Sequence, residues 1–484
     1  MTDVLNKIPK DNLDDIMSFL SPGDIAKFSA TSKGNNEYAN ITILNPSDSL
    51  KYLNDDEFSK TIIEPKILHI NIEIYFLIIS ESPRLKNITS MNLYLHSNDK
   101  LVKLPELTNL TSLKIIRYED FSLKLNTDFI PFNNFKNLTS LDLSNSGIES
   151  FNVLFVKIKN LNKLKKINLS ENDSMGSLNI PDDSKWFESL KELNLNFTRI
   201  DDDENLSDII TKLKNLEHLH LKTCRFSILS LTKLNQNLIS LSLPYIIDEY
   251  DDKVLIDKIK SLKKIKNLSL DLFSNSFKEP VIKKIIKDMD LTYLDLSHAQ
   301  HLDAQQFQSI SEEFKKMKNL ESINLNECGM YGNTMITILS NLNTNIKYLG
   351  IRNNKLFDKE NPTFFERTIF KNKIIKKLTE QLGEALLKFK DLRYLDLRYC
   401  CCPDEENLIE SIKKMSNLEE LNIWGTVENI KNILVLKKSL KKLRYVDIES
   451  KQKIFYHDYF DGKKIYNNSI RKIKRNNSIT THKK

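Results

Sequence analysis

Hydrophobic residues recur along this chain in a six-residue pattern, L-x-x-L-x-L, that returns about every 26 residues. Four consecutive copies at this interval begin at Leu138, Leu164, Leu190 and Leu216. The second and third leucines of each copy lie two residues apart, a spacing typical of a short strand with both side chains on one face. The residues between copies, such as Leu206, Ile209, Ile210 and Leu213, have helical spacing. The pattern therefore predicts short strands that alternate with helices.

The same pattern continues almost to the end of the chain. Its first position is filled fourteen times, at Ile88, Leu110, Leu138, Leu164, Leu190, Leu216, Leu238, Ile265, Leu291, Leu320, Ile346, Leu392, Leu418 and Leu443. Such self-similarity is typical of leucine-rich-repeat proteins. It predicts an α/β leucine-rich-repeat solenoid over residues 88–450, a horseshoe with a parallel inner sheet and outer helices. One spacing is 46 residues, between Ile346 and Leu392, and predicts an insertion near residues 353–391 that forms one long helix or a loop with a helix.

The cysteines are explained largely by the repeat. Cys224, Cys328 and Cys400 each follow the last strand leucine by three residues, where other copies have asparagine or threonine, at Asn172, Thr198, Asn354 and Thr426. In leucine-rich repeats this side chain serves the backbone of the turn. Cys401 and Cys402 have no histidine at ligand spacing, so we predict no metal site and no cofactor. Five cysteines without a secretory signal indicate a reducing compartment.

The net charge of +7 is concentrated at one end of the chain. Residues 470–484 contain six lysines and arginines and no acid, and the remainder is nearly balanced, which argues against a nucleic-acid-binding body. The basic tail, residues 451–484, is predicted to be a solvated terminus, with a nuclear-import signal as the alternative. No apolar run is long enough to span a bilayer. We expect a cytoplasmic protein, with the nucleus as the alternative, or one in the host cytoplasm if a virus or bacterium encodes it.

The amino terminus has a different pattern, typical of short helices. Leu13, Ile16, Met17 and Leu20 share one helical face. A second helix is predicted to start at Ser21-Pro22, because proline is favoured in the first helical turn. A third helix is predicted around residues 35–43. We assign residues 1–43 to this helical domain and residues 44–87 to a helical linker with a degenerate capping repeat, in which residues 68–72 alternate like a strand.

These amino-terminal residues resemble an F-box. The resemblance rests on Ile8-Pro9, Asp11, Leu13, Ile16, Phe19-Leu20, Asp24-Ile25, Phe28 and Ser32-Lys33, and it departs at Asn35, where the family usually has tryptophan. F-box proteins dock onto a small helical adaptor of SCF-type cullin ubiquitin ligases, and many use leucine-rich repeats to select the substrate. The resemblance implies that the adaptor is bound by Ile8, Pro9, Leu13, Ile16, Leu20, Ile25 and Phe28.

The polar positions of the strands predict a substrate-binding surface in the later repeats. The position before the second leucine contains tyrosine in four of the later copies, interrupted by Ser322 and Glu420 in two others. The next two outward positions contain acids, arginines and tryptophan. These candidates are Tyr293, Tyr348, Tyr394 and Tyr445, Asp295, Asp396 and Asp447, and Arg352, Arg398 and Trp424. Tyrosine, tryptophan and arginine dominate binding energies at interfaces. The alternative is that the tyrosine rings pack against one another across neighbouring strands.

No enzyme is predicted from the sequence. It has no phosphate-binding glycine loop, no metal-ligand cluster and no serine elbow. His218 and His220 with Cys224 fit surface polar residues better than metal ligands. The prediction is a substrate-receptor subunit whose partners are the adaptor and a protein substrate, with no nucleic acid and no membrane. The alternative is a binding scaffold or effector whose amino-terminal helices only cap the repeats.

Overall fold

The computed structural model describes residues 41–44, 67–74, 88–95, 107–117, 125, 127–148, 150–172, 180–198, 200, 203–246, 251–358, 371–427, 435–436 and 438–447. They belong to two compact units, which divide the chain between Asp290 and Leu291. The F-box-like residues and the basic tail lie outside the described residues.

The first unit is built on a parallel sheet whose strands follow one another in chain order. Its described strands are β1 (Ile41–Leu44), β2 (Ile67–Ile74), β3 (Ser90–Leu95), β4 (Ser112–Arg117), β5 (Ser140–Asp142), β6 (Lys166–Asn168), β7 (Glu192–Asn194), β8 (His218–His220), β10 (Ser240–Ser242) and β12 (Asn267–Ser269). A second, two-stranded sheet pairs β9 (Arg225–Phe226) with β11 (Tyr245–Ile246). The register places equivalent residues side by side, for example Leu141 beside Ile167 and Leu193 beside Leu219.

The second unit repeats this arrangement. Its described strands are β13 (Tyr293–Asp295), β14 (Ser322–Asn324), β15 (Tyr348–Gly350), β16 (Tyr394–Asp396), β17 (Glu420–Asn422) and β18 (Tyr445–Asp447). The 46-residue spacing does not disturb the sheet, because Leu349 of β15 pairs directly with Leu395 of β16. The extra residues include one 17-residue helix, Lys371–Leu387. The insertion is thus placed between two strands without a change of register.

Helices connect the strands. In the described residues they are α1 (Phe151–Ile158), α2 (Asp203–Lys212), α3 (Ile228–Thr232), α4 (Asp252–Ser261), α5 (Glu279–Ile286), α6 (Ala304–Ser311), α7 (Gly332–Asn341), α8 (Lys371–Leu387) and α9 (Glu405–Ile412). Local sequence explains where several of them begin. Before α6, Asp303 accepts from the Gln306 backbone and the Gln306 side chain accepts from the Asp303 backbone, which together form a capping box. No helix in the described part of the chain is both long and apolar enough to cross a membrane.

Some connections are 3₁₀ turns where the repeat length predicted full helices. They lie at Thr127–Phe129, Phe132–Asn134 and Lys185–Glu188. Pro131 directly precedes the second turn, and Pro181 lies shortly before the third. Proline has no backbone N–H to donate, and residues that precede it avoid the helical conformation. These prolines therefore shorten the helical segments.

The structure confirms one expectation for the segment before residue 88 and corrects another. The alternating residues 68–72 lie in strand β2, as predicted. The third helix predicted around residues 35–43 is wrong for residues 41–43, because Ile41–Leu44 is a strand paired in parallel with Ile67–Ile70. The β-branched run Ile41-Thr42-Ile43 favours a strand over a helix, which explains the difference. Residues 45–66 and 75–87, which include the predicted helical linker, lie outside the described residues.

The polar and thiol side chains predicted to serve the turn, three residues after the last strand leucine, are buried, at Asn172, Thr198, Cys224, Cys328, Asn354, Cys400 and Thr426. The Asn354 amide donates to the carbonyls of Leu325, Ile351 and Arg352 at 2.8, 3.0 and 3.2 Å, and its oxygen accepts from the Met330 backbone at 3.0 Å. Asn172 makes equivalent bonds in the first unit. Thiols at this position donate to carbonyls of the preceding copy, for example Cys224 to Leu195 at 3.1 Å and Cys328 to Leu296 at 3.3 Å.

The leucines form the core of each unit. The inward strand residues, such as Leu143 and Leu169 in the first unit and Leu325 and Leu397 in the second, are fully inaccessible to solvent. Each buried leucine contributes about 1.5–3 kcal/mol to folding. Short parallel strands, inward leucines and intervening helices are the leucine-rich-repeat architecture that the sequence predicts.

Candidate recognition surface

The polar side of the sheet in the second unit presents the strand residues that alternate with the buried leucines. We call this side the open face. It comprises the first and third residues of β13 to β18 and the residue two positions beyond each strand, because successive strand residues point to opposite sides. The ten residues predicted to bind a substrate occupy these positions. For Asp447, the position in the strand is described but not the side chain.

The tyrosines of the open face pack across neighbouring strands. The rings of Tyr348 and Tyr394 are 6.4 Å apart between centroids and are tilted by 33°. Tyr293 is 7% exposed and Tyr394 only 3%, whereas Tyr348 and Tyr445 are half-buried. For Tyr348 and Tyr394, the structure therefore shows the alternative interpretation of the tyrosines, in which the rings pack across neighbouring strands. Tyr348 and Tyr445 keep accessible surface on which a partner can pack.

The acids of the next column support the ends of the strands. Asp295 Oδ1 accepts from the Ser297 backbone at 2.9 Å, and Asp396 Oδ1 accepts from the Arg398 backbone at 3.1 Å. Asn324 makes the same bond to the backbone of the residue two positions on. The sequence analysis missed this structural role, although the residue types in this column indicate it. Aspartate and asparagine interchange in this column, as expected where one side-chain oxygen accepts from the backbone.

The two arginines of the open face are already paired with acids. Arg398 makes a two-point contact with Asp396, at 2.9 Å from Nε to Oδ1 and 2.7 Å from Nη2 to Oδ2. Arg352 donates from Nη2 to Glu327 Oε1 at 2.6 Å, and the other oxygen of Glu327 lies 3.3 Å from His298 Nδ1. Both arginines are 7% exposed. The Arg352–Glu327 pair joins two neighbouring repeats, whereas the Arg398–Asp396 pair lies within one repeat.

Trp424 remains partly accessible at the edge of these pairs. Its ring lies 5.2 Å from that of Tyr399 and is half-buried. Aromatic pairs of this kind contribute about 0.5–1.5 kcal/mol beyond their burial. The side chain is thus held by its neighbour while part of it faces solvent, which is the arrangement of an interface anchor.

Glu420 is a candidate binding residue that the sequence pattern treated only as an interruption of the tyrosine column. The register places it between Tyr394 and Tyr445. Its carboxylate is half-buried and makes no hydrogen bond or ion pair to any residue that the structure describes. Burial raises the pKa of Glu420, and the neighbouring Glu419 raises it further, whereas Arg444 opposes the shift. An acid among tyrosines was the signal in the sequence.

Asn422 lies beside Glu420 on the same side of the strand. It is 2% exposed, and its Nδ2 donates to Tyr394 Oη at 2.8 Å. Its Oδ1 has no hydrogen-bond partner among the described atoms. Asn422 therefore differs from Asp295, Asn324 and Asp396, whose oxygens accept from the backbone. A buried acceptor without a donor is costly unless a further group satisfies it.

The cysteines and histidines have structural environments. Burial raises the pKa of the Cys224 and Cys400 thiols to about 12 and that of Cys402 to about 12, so these thiols stay protonated at neutral pH. A protonated thiol is a poor metal ligand. His220 Nδ1 lies 3.0 Å from Ser242 Oγ on the neighbouring strand. In the described ranges, no three His, Cys, Asp or Glu side chains are grouped as a metal site.

The predicted adaptor-binding residues are not among those described. They are Ile8, Pro9, Leu13, Ile16, Leu20, Ile25 and Phe28. Their role remains a prediction from the sequence.

Comparison with solved structures finds matches of low sequence identity and low TM-score. An internalin from Listeria monocytogenes is 15% identical over 84% of this chain and 94% of its own, with a TM-score of 0.32. The yeast Rad7–Elc1 complex structure matches at 16% identity over 86% of each chain, with a TM-score of 0.44. The leucine-rich-repeat protein LegL7 from Legionella pneumophila is 15% identical over 68% of this chain and 90% of its own, with a TM-score of 0.35. No protein-family model matches the chain, and no curated protein matches its sequence.

Proposed function

We propose that this protein is the substrate-receptor subunit of an SCF-type cullin ubiquitin ligase. The F-box-like residues dock onto the helical adaptor, and the open face binds a protein substrate for ubiquitination. The chain supplies recognition and positioning, while other subunits supply the chemistry. The proposed place of action is the cytoplasm or nucleus.

The binding half of this proposal is carried by the open face of the second unit. Tyr348 on β15, Tyr445 on β18 and Trp424 just beyond β17 are half-buried aromatic side chains of this face. Glu420 lies among them without a described partner. Aromatic anchors around a polar group are typical of protein interfaces, whose binding energy is concentrated in a few such residues.

The adaptor half is supported by the amino-terminal sequence. About ten positions match the F-box pattern in register, on the amino-terminal side of the repeats. The second candidate is a binding scaffold without an adaptor. The observation that supports it is Asn35, which replaces the tryptophan usual in the F-box family.

A pull-down with the purified cullin adaptor tests the adaptor half. Wild type is expected to retain the adaptor, and Leu13→Asp and Leu20→Asp are each expected to weaken retention by about tenfold or more, because a charge would enter an apolar interface. The matched control is Val153→Asp, since Val153 is 47% exposed on α1 and its replacement also introduces an acid.

Circular dichroism on all four forms establishes that they remain folded. Equal retention of wild type, Leu13→Asp and Leu20→Asp, or no retention of wild type, would support the scaffold and reject the adaptor half of the proposal.

A further inference from the structure

We infer that Glu420 and Asn422 form a site on the open face for an arginine side chain presented by the protein partner. This inference rests on the proposed function and specifies what the open face recognises. The guanidinium lies between the tyrosines on the two neighbouring strands and donates to both acceptors.

The site has two acceptors that the described residues leave unused. The Glu420 carboxylate has no described hydrogen bond or ion pair, and Asn422 Oδ1 is buried without a donor. Both side chains project from strand β17 to the open face, with Leu421 between them on the other side. A ligand that supplies several N–H groups in one plane satisfies both acceptors at once.

The local charge favours a cation. Asp396 on the open face and Glu327 in the turn after β14 are each paired with an arginine of the same unit. Glu420 is not neutralised in this way, because the nearby Arg444 is directed to Glu419, at 3.9 Å from Nε to Oε2. The raised pKa of Glu420 reflects the cost of an unpaired carboxylate in a half-buried position. A bound cation removes that cost.

The aromatic neighbours favour arginine over other cations. Tyr394 and Tyr445 flank Glu420 in the sheet register, and Trp424 follows Asn422 on the next outward position. A guanidinium stacks on aromatic rings and has five donors in a fixed plane, whereas an ammonium is a compact and strongly hydrated point charge. The arrangement of two acceptors among rings therefore fits arginine.

The test is a titration of the full chain with Nα-acetyl-L-arginine amide, followed by saturation-transfer NMR of the side-chain protons. Nα-Acetyl-L-citrulline amide is the uncharged comparator of nearly equal shape, and Nα-acetyl-L-lysine amide is the ammonium comparator. We expect arginine to bind about tenfold more tightly than citrulline, because a hydrogen bond to a charged group is worth at least that factor. Lysine is expected to bind more weakly than arginine.

Glu420→Gln is expected to weaken arginine binding by about tenfold and to leave citrulline binding unchanged. The matched control is Glu192→Gln, since Glu192 occupies the same strand position in β7 but is paired with Lys166 at 2.5 Å. This control is expected to bind arginine like wild type.

The chain's own basic tail is tested as a competing occupant. The titration is repeated after Arg471, Lys472, Lys474 and Arg475 are replaced by glutamine. If the variant with the neutral tail binds arginine more tightly than wild type, and Glu420→Gln still abolishes this binding, the site is supported and the tail competes for it. Equal binding in both forms, again dependent on Glu420, supports a site that is left open to a partner.

Two results would overturn the inference. One is equal binding of arginine and citrulline, and the other is an equal loss of affinity for Glu420→Gln and Glu192→Gln. The outcome of the adaptor pull-down does not depend on either result. Failure of the arginine site is therefore distinguishable from failure of the proposed function. Conversely, loss of adaptor binding leaves the titration interpretable.

Discussion

Replacing Arg398 with alanine is expected to lower the free energy of unfolding by about 3–5 kcal/mol, because it breaks a buried ion pair and leaves one charge behind. The charge left behind is Asp396, which is 1% exposed and accepts three bonds from Arg398. The backbone bond survives the substitution, but the bonds from Nε and Nη2 do not. Urea unfolding followed by circular dichroism measures the change.

The control for this prediction is Arg393→Ala. Arg393 directly precedes the same strand, its side chain is 54% exposed, and its contact with Glu419 is 3.9 Å long. Exposed pairs of this kind contribute about 0–1 kcal/mol, so little change is expected. The double variant Asp396→Asn/Arg398→Met should recover much of the loss, because neither residue then leaves a charge unpaired. A cost below about 1 kcal/mol for Arg398→Ala would show that the pair is not structural.

Replacing Asn354 with alanine is expected to lower the free energy of unfolding by about 3 kcal/mol, because buried backbone groups lose their partners. The carbonyls of Leu325 and Ile351 and the N–H of Met330 are among the groups affected. These groups belong to two consecutive repeats, so the lost hydrogen bonds weaken the contact between those repeats. The same urea titration measures it.

Two further variants separate the bonding role of Asn354 from side-chain volume. Asn354→Cys should be milder than Asn354→Ala, because cysteine fills this position at Cys328 and Cys400 and donates to a carbonyl there. Asn333→Ala changes an exposed asparagine of α7 and should have almost no effect. If Asn354→Ala and Asn333→Ala were equally harmless, the buried position would not support the turn.

The repeat could be predicted from the sequence because the leucine pattern returns at a nearly constant interval. Leucines two apart within each copy, such as Leu395 and Leu397, report a strand with a buried side. The position of Asn354 three residues later was predicted for the same reason, since asparagine, threonine or cysteine recurs there in several copies, at Asn172, Thr198, Cys224, Cys328, Cys400 and Thr426. These features depend on short-range spacing, which a single sequence displays.

The environments of the open-face side chains were harder to predict because they depend on contacts between copies. The Tyr348–Tyr394 packing joins residues 46 positions apart, across the helical insertion. Asp396 and Arg398 are only two residues apart in the sequence. Spacing alone does not show whether they bind each other or a ligand, because that depends on side-chain geometry. Glu420 looked like an interruption of the column because spacing does not show whether an acid has a partner.

We propose that adaptor binding and partner recognition belong to different parts of the chain. Affinity purification with quantitative mass spectrometry tests it on wild type, Leu20→Asp, and the double variant Glu420→Gln/Tyr445→Ala. Leu20→Asp is expected to lose the cullin adaptor by about tenfold or more and keep the other captured proteins, and the open-face variant is expected to do the reverse. Loss of the same proteins from both variants, or no loss from the open-face variant, would rule out this division between the two parts of the chain.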